Sequence, residues 1–172
     1  MKQLCLFVVL CCFSIPTFAT PRHCVLPEPI QGLLTEQWHG WRLLQLTDLV
    51  RDDQTAWREH PLNSRECPGM NHGKFDGEQI WYVFTLIRRP NEQTVLVALS
   101  DGDSYKLTTL VRPTKEPYFG VVNVFPPGKC REFYTRKPVS IPTESVAVEA
   151  IGHSITLFYS KNGKWKSLLI SA

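Results

Sequence analysis

The chain has 172 residues, 43% hydrophobic, 20% charged and 11% aromatic, and 19 Lys+Arg against 16 Asp+Glu leave a net charge of +3. This length suits one domain and is short for two, while the 13 Pro and 10 Gly are too dispersed for a collagen-like or disordered composition. The basic residues are scattered, so nothing tracks a phosphate backbone and no nucleic-acid partner is expected; a membrane channel, a coiled coil and a large multidomain enzyme are also excluded.

Met1-Lys2-Gln3 is a short basic start, Leu4 to Phe18 is mostly apolar, and Thr17-Phe18-Ala19 has the small-x-small form of a cleavage site. The pattern predicts a secretory signal peptide over residues 1–19 and one mature β-rich domain over residues 20–172. The apolar run spans about fifteen residues, short of the roughly twenty a spanning helix needs, so no membrane anchor is expected after cleavage. A periplasmic or secreted location follows. Cleavage removes Cys5, Cys11 and Cys12, and in an oxidising compartment two of Cys24, Cys67 and Cys130 are expected to pair. Cys24–Cys67 and Cys24–Cys130 are the favoured bridges, because a cysteine near Pro21 straps a loose end; the third thiol is then free or intermolecular. Such a bridge contributes roughly 3–4 kcal/mol. The absence of Cys-x-x-Cys spacing makes zinc the weaker reading.

Along the mature chain, Thr20 to Pro29 reads as an extended leader. Ile30, Leu33, Leu34 and Trp38 recur at helical spacing, predicting a short amphipathic helix over Ile30 to His39. Trp41 to Leu46 reads as a brief strand; Asp52 and Asp53 cap a second helix over Gln54 to His60, stopped by Pro61, and Leu62 to Gly69 is a loop. Strands then dominate: Ile80 to Arg88, Thr94 to Leu99, Tyr105 to Val111, Phe119 to Phe125, Val146 to Ile151, Ser154 to Tyr159 and Trp165 to Ile170. Asp101-Gly102-Asp103, Gly152-His153 and Asn162-Gly163 supply turns, and Arg112 to Pro142 is otherwise irregular. The expected fold is α+β: one antiparallel β-meander with one or two short N-terminal helices.

Nucleophile and phosphate-cradling motifs are absent. Cys67 with His72, or Cys130 with His153, could form a Cys–His pair, but a disulfide half and a surface histidine is the plainer reading. The carboxylate pairs Asp101/Asp103 and Asp48/Asp52 could serve a small exported hydrolase, although turn and cap positions explain them without chemistry. No catalytic residue is therefore assigned.

Cys67-Pro68-Gly69 and Gly73-Lys74-Phe75-Asp76-Gly77-Glu78, running straight into a strand, resemble small exported bacterial proteins carrying one FG-GAP/VCBS-like segment. The resemblance extends to Trp41-Arg42-Leu43-Leu44, Leu46-Thr47-Asp48-Leu49, and Phe158-Tyr159 with Asn162-Gly163-Lys164-Trp165. In such proteins a full acidic loop is expected to hold Ca²⁺, which takes about six to eight oxygen ligands. Here Asp76 and Glu78 are the weak metal candidates, and Lys74 and Gln79–Ile80 depart from the acidic pattern, so a Gly-rich turn is favoured and no cofactor is expected.

The resemblance also implies periplasmic immunity proteins and lysozyme inhibitors, hence a protein partner of the peptidoglycan-hydrolase or toxin kind. Loops rich in aromatics and Arg suit that role, since these residues anchor interfaces. The expected partner-binding residues are Asp103, Ser104, Tyr105 and Lys106 on one loop, with Tyr118, Phe119, Tyr134 and Arg136 as a flanking patch. A small hydrolase using Asp48, Asp101 or Asp103 and a Ca²⁺-dependent envelope or adhesion module are the alternatives.

Overall fold

In a computed structural model of the chain, residues 24–59, 67–88, 91–101, 104–115 and 118–171 are described. The expected signal peptide, Pro61 and Asp103 lie outside these residues. Helix α1 (Glu28–Gln37) begins before the predicted Ile30, because Pro29 is tolerated in a first turn and Pro27 accepts the opening N–H bonds from Ile30 and Gln31. Its buried face carries Ile30, with Leu34 and Trp38 beside it. The predicted strand over Trp41 to Leu46 shrinks to β1 (Arg42–Leu43), followed by a 3₁₀ turn at Leu46–Asp48. Helix α2 (Arg51–Glu59) starts earlier than predicted, placing Asp52 and Asp53 inside its first turn rather than at the cap.

One sheet contains β1, β2 (Met70–Gly73), β3 (Trp81–Ile87), β4 (Glu92–Asp101) and β5 (Ser104–Lys115). β1 and β2 share one side of β3: Leu43 pairs with Leu86, and Met70 with Phe84. Between them, the Leu44 N–H donates to Thr85 O at 3.0 Å and the Thr85 N–H donates to Gly69 O at 2.9 Å. The ladder thus passes from one segment to the other without a gap. Only glycine fits this handover, since a Cβ on Gly69 would lie 2.2 Å from Leu44 O.

The second sheet has the order β11 (Lys164–Ser171), β10 (Ser154–Lys161), β9 (Ser145–Ala150), β6 (Gly120–Phe125). A separate hairpin, β7 (Gly128–Arg131) with β8 (Pro138–Ile141), interrupts the segment predicted to be irregular. The architecture is therefore mostly antiparallel β with two short helices, as expected in class. It holds two meanders rather than one, because the chain leaves β6 for the hairpin before β9 returns to pair with it.

Alternation explains the layers. Val83, Val95 and Val97 point inward against Val122, Val146 and Phe158 of the second sheet. On the opposite face of the first sheet, Phe84, Leu86 and Leu96 bury against Leu26 and Ile30, so α1 covers that side. Ile141 and Val139 of the hairpin cover Ala147, Leu157 and Leu168 on the outer face of the second sheet. Trp57 of α2 closes a corner with Leu44, Ile87 and Val121.

The bridge is Cys24–Cys67, with Cα atoms 5.5 Å apart, and Cys130 is a half-buried free thiol on β7. Pairing of Cys24 with Cys130 is thereby corrected: Cys67 lies beside the Leu44/Gly69 handover, where the Gln45 side chain binds both the N–H and the C=O of Cys24.

Candidate functional site

The turn between β9 and β10 and the connection from β5 to β6 meet at one end of the sandwich. There the rings of Tyr118 and His153 stack with centroids 3.8 Å apart and planes inclined by 22°. The approach is fixed by the buried Gln93 side chain, whose amide N–H donates to Tyr118 O at 3.1 Å while its oxygen accepts from the Gly120 N–H at 2.6 Å. Thr85 completes the joint by donating its hydroxyl to Gly120 O at 2.7 Å. Two clefts open on either side of Tyr118. One, of about 600 Å³, lies between the 3₁₀ turn, α2, Asn91 and Phe119; the other, of about 430 Å³, is the mouth between the sheets, edged by Thr114, Ser154 and Thr156.

Charge in the larger cleft is organised by Asp48. Its carboxylate accepts from both terminal nitrogens of Arg42 at 2.6 Å and from the Gln45 N–H at 2.8 Å. Burial alone would raise the Asp48 pKa, but the Arg42 pair and the Gln45 N–H outweigh it and hold the carboxyl below the ordinary aspartate range. Arg42 is raised in turn, chiefly by its hydrogen bonds to Asp48. Asp53 moves the other way: burial raises its pKa, the neighbouring Asp52 charge adds to this, and His153 only partly offsets them.

The residues expected to form one binding surface occupy three places. Tyr118 and Phe119 line the cleft just described. Tyr134 and Arg136 sit on the tip joining β7 to β8, which the Phe133 N–H ties to Leu169 O of β11 at 2.8 Å. Since β6 and β11 are the opposite edges of the second sheet, the four do not form one patch. Ser104, Tyr105 and Lys106 begin β5 at the far end of the first sheet, where Tyr105 packs edge-on to Tyr82. That ring is used in the cluster beneath α1.

Asp48 and Asp101 do not meet either. Asp48 neighbours Arg42, opposite Ile87, whereas Asp101 lies beyond Leu99, opposite Trp81. The seven residues of β3 separate these ends, about 20 Å at 3.3 Å per residue. Cys67 is consumed by its disulfide, so the Cys67–His72 pair has no thiol, and His153 faces Tyr118 rather than Cys130.

Asp76 acts as a turn cap: its Oδ1 accepts the N–H groups of Glu78 and Gln79 at 2.9 and 3.0 Å. Burial opposes ionisation there, and the Glu78 N–H, the Trp81 indole and the Gln79 N–H together outweigh it to lower the pKa. Among the described residues no group of three or more His, Cys, Asp or Glu is placed to hold a metal ion.

Sequence reasoning missed the joint made by Gln93, Thr85 and His153. No local signal marks a glutamine that satisfies a peptide 27 residues downstream. Among the described residues, no helix is long and apolar enough to cross a membrane. No family model, curated protein or solved structure matches the chain.

Proposed function

We propose that this chain is an exported periplasmic binding protein, not an enzyme, that blocks a peptidoglycan-degrading hydrolase by placing the 132–137 tip in its cleft. The observation that carries this reading is Tyr134, which is 76% exposed, the largest exposure among the large hydrophobic side chains of the described residues. Its surroundings are ordered. Glu132 and Lys137 close the turn with an N–H···O bond of 3.0 Å, and the Arg136 N–H donates to Glu132 O at 2.9 Å. Phe133 meets Tyr134 edge-on at 5.2 Å, and the Arg136 guanidinium lies 5.1 Å from the Phe133 centroid. The Thr135 hydroxyl donates to the Glu132 carboxylate.

An aromatic presented on a preformed turn gives up little conformational entropy on binding. The charge also suits a glycan-cleaving partner. Lys129, Arg131, Arg136 and Lys137 are exposed around a single acid, Glu132, and glycoside hydrolase clefts carry paired carboxylates. A cationic tip is drawn toward such a cleft and occupies the substrate's place.

The test uses protein exported in a bacterial host and recovered from the periplasmic fraction, mixed with a panel of muramidases and amidases. A 1:1 complex and loss of cell-wall hydrolysis are expected with one enzyme class. Combined Tyr134→Ala and Arg136→Ala should weaken that complex by about 100-fold or more, on the scale of interface hot spots, without lowering the melting temperature. Inhibition of no hydrolase, or undiminished inhibition by the double variant, would overturn the assignment.

A further inference from the structure

We propose that the groove divided by Tyr118 is a second binding site, and that its ligand is a neutral saccharide. This rests on a different set of residues from the hairpin tip, and does not depend on the reading above. Both clefts fall within the roughly 300–1,000 Å³ typical of small-ligand sites. Tyr118 borders each of them and is 41% exposed. One ring face is stacked on His153.

The lining selects the ligand. In the larger cleft Arg42, Asp53 and Asn91 offer a planar guanidinium, a carboxylate and an amide. Asp53 and Asn91 present paired acceptors or donors, and Arg42 adds the guanidinium N–H groups that Asp48 does not use, matching neighbouring hydroxyls that both give and accept hydrogen bonds. The Tyr118 ring supplies the flat apolar surface on which the C–H face of a pyranose can lie. Hydroxyls of Ser154 and Thr156 continue the pattern into the second cleft, over a floor that includes Val148 and Phe158.

Other ligand classes fit less well. An apolar molecule would strand the polar lining without hydrogen bonds. An anion would meet the carboxylates of Asp48 and Asp53. A metal ion finds no cluster of three acidic, histidine or cysteine ligands among the described residues.

The positions are held before any ligand arrives. Asp48 fixes Arg42 through two bonds, Gln93 fixes Tyr118 through its carbonyl, and a side chain at Gly120 would intrude, its Cβ lying 2.7 Å from Val148 Cγ1. A preformed site loses less entropy on binding.

The test is calorimetric titration of the purified protein with chitotriose, cellotriose and maltotriose. Saturable binding of at least one, with a Kd of about 1 mM or tighter, is expected. Tyr118→Ala and, separately, Asn91→Ala should each weaken it by about tenfold or more. Tyr134→Ala should leave it unchanged, so failure here is distinguishable from failure of the hydrolase assignment. If Tyr118→Ala does not fold, the Asn91 variant and Tyr118→Phe decide, the latter retaining binding. Absence of saturation with all three sugars, or binding indifferent to Tyr118 and Asn91, would overturn the proposal.

Discussion

Two aspartates five residues apart show how neighbours set the sign of a carboxylate's effect. Asp48 has three donors, two from Arg42 and one from Gln45, and they overcome its burial. Its folded pKa is therefore depressed, so its stabilisation is complete above the ordinary unfolded value and disappears as pH falls through the lower folded one. Asp53 has burial and Asp52 against it, and its folded pKa is raised. Ionisation of Asp53 opposes folding once the pH exceeds the unfolded value. Urea denaturation at neutral pH should show Asp48→Asn destabilised by about 1–2 kcal/mol, the scale of a charge-assisted cap. Asp53→Asn should be equal to the parent or slightly more stable. As pH falls below about 4 towards the lower folded value, the Asp48→Asn and parent curves should converge, because the unfolded parent's carboxylate takes up its proton first and the folded one follows. A loss that persists unchanged to low pH would assign the effect to packing instead of charge.

At the scale of elements, the disulfide determines how the N-terminal helix is retained. Cys24 precedes α1 and Cys67 precedes β2, so the bond closes a sequence separation of 43 around α1, β1 and α2. Loop-closure entropy puts its contribution at about 4 kcal/mol. Combined Cys24→Ser and Cys67→Ser should lower the melting temperature by about 8–16 °C for a chain of this size. Hydrogen exchange should show α1 and β1 losing protection before β3 and β4. Uniform loss across both sheets would mean that the bridge stabilises the whole fold and not this strap.

The long strands were legible because Ile, Val, Trp, Tyr and Phe concentrate in β3, β4 and β9 to β11. The Asn162-Gly163 turn was legible because both residues take positive φ, 54° and 68°. Met70-Asn71-His72-Gly73 carries no such composition and becomes β2 through its ladder to β3. Gly128-Lys129-Cys130-Arg131 is likewise ordered by β8 and by the sheet beneath it. Pro113 concealed the extension of β5 to Lys115, which is compatible with Pro because β5 is an edge strand. Tyr118 and Phe119 stand out in the sequence as aromatics of the proline-rich stretch from Arg112 to Pro142. Their company of His153, Asn91 and Arg42 depends on long-range strand order that periodicity does not encode.

For the whole molecule, the decisive contact is the peptide at Gly120, where the two sheets are joined. Its N–H is bound by Gln93 of β4 and its C=O by Thr85 of β3, both from the opposite sheet and both buried. Pro68 O adds a third link by accepting the Val122 N–H at 2.8 Å. Removing one partner leaves a buried polar group unpaired, which costs more than the bond itself contributes. Gln93→Leu strands both the Gly120 N–H and Tyr118 O and should cost about 2–4 kcal/mol; Thr85→Val strands one acceptor and should cost about 1–2 kcal/mol. Because both side chains hold one residue, Gly120, the double variant should depart from additivity by about 0.5–3 kcal/mol in denaturant titrations. Once either bond is lost, Gly120 can shift and the other is already weakened, so the double loss should be smaller than the sum. Additivity within about 0.5 kcal/mol would show two independent bonds and no common joint. Gln93→Leu should also release Tyr118 from its carbonyl tether and weaken the proposed saccharide binding, while the proposed binding of a hydrolase at the hairpin tip should be unaffected.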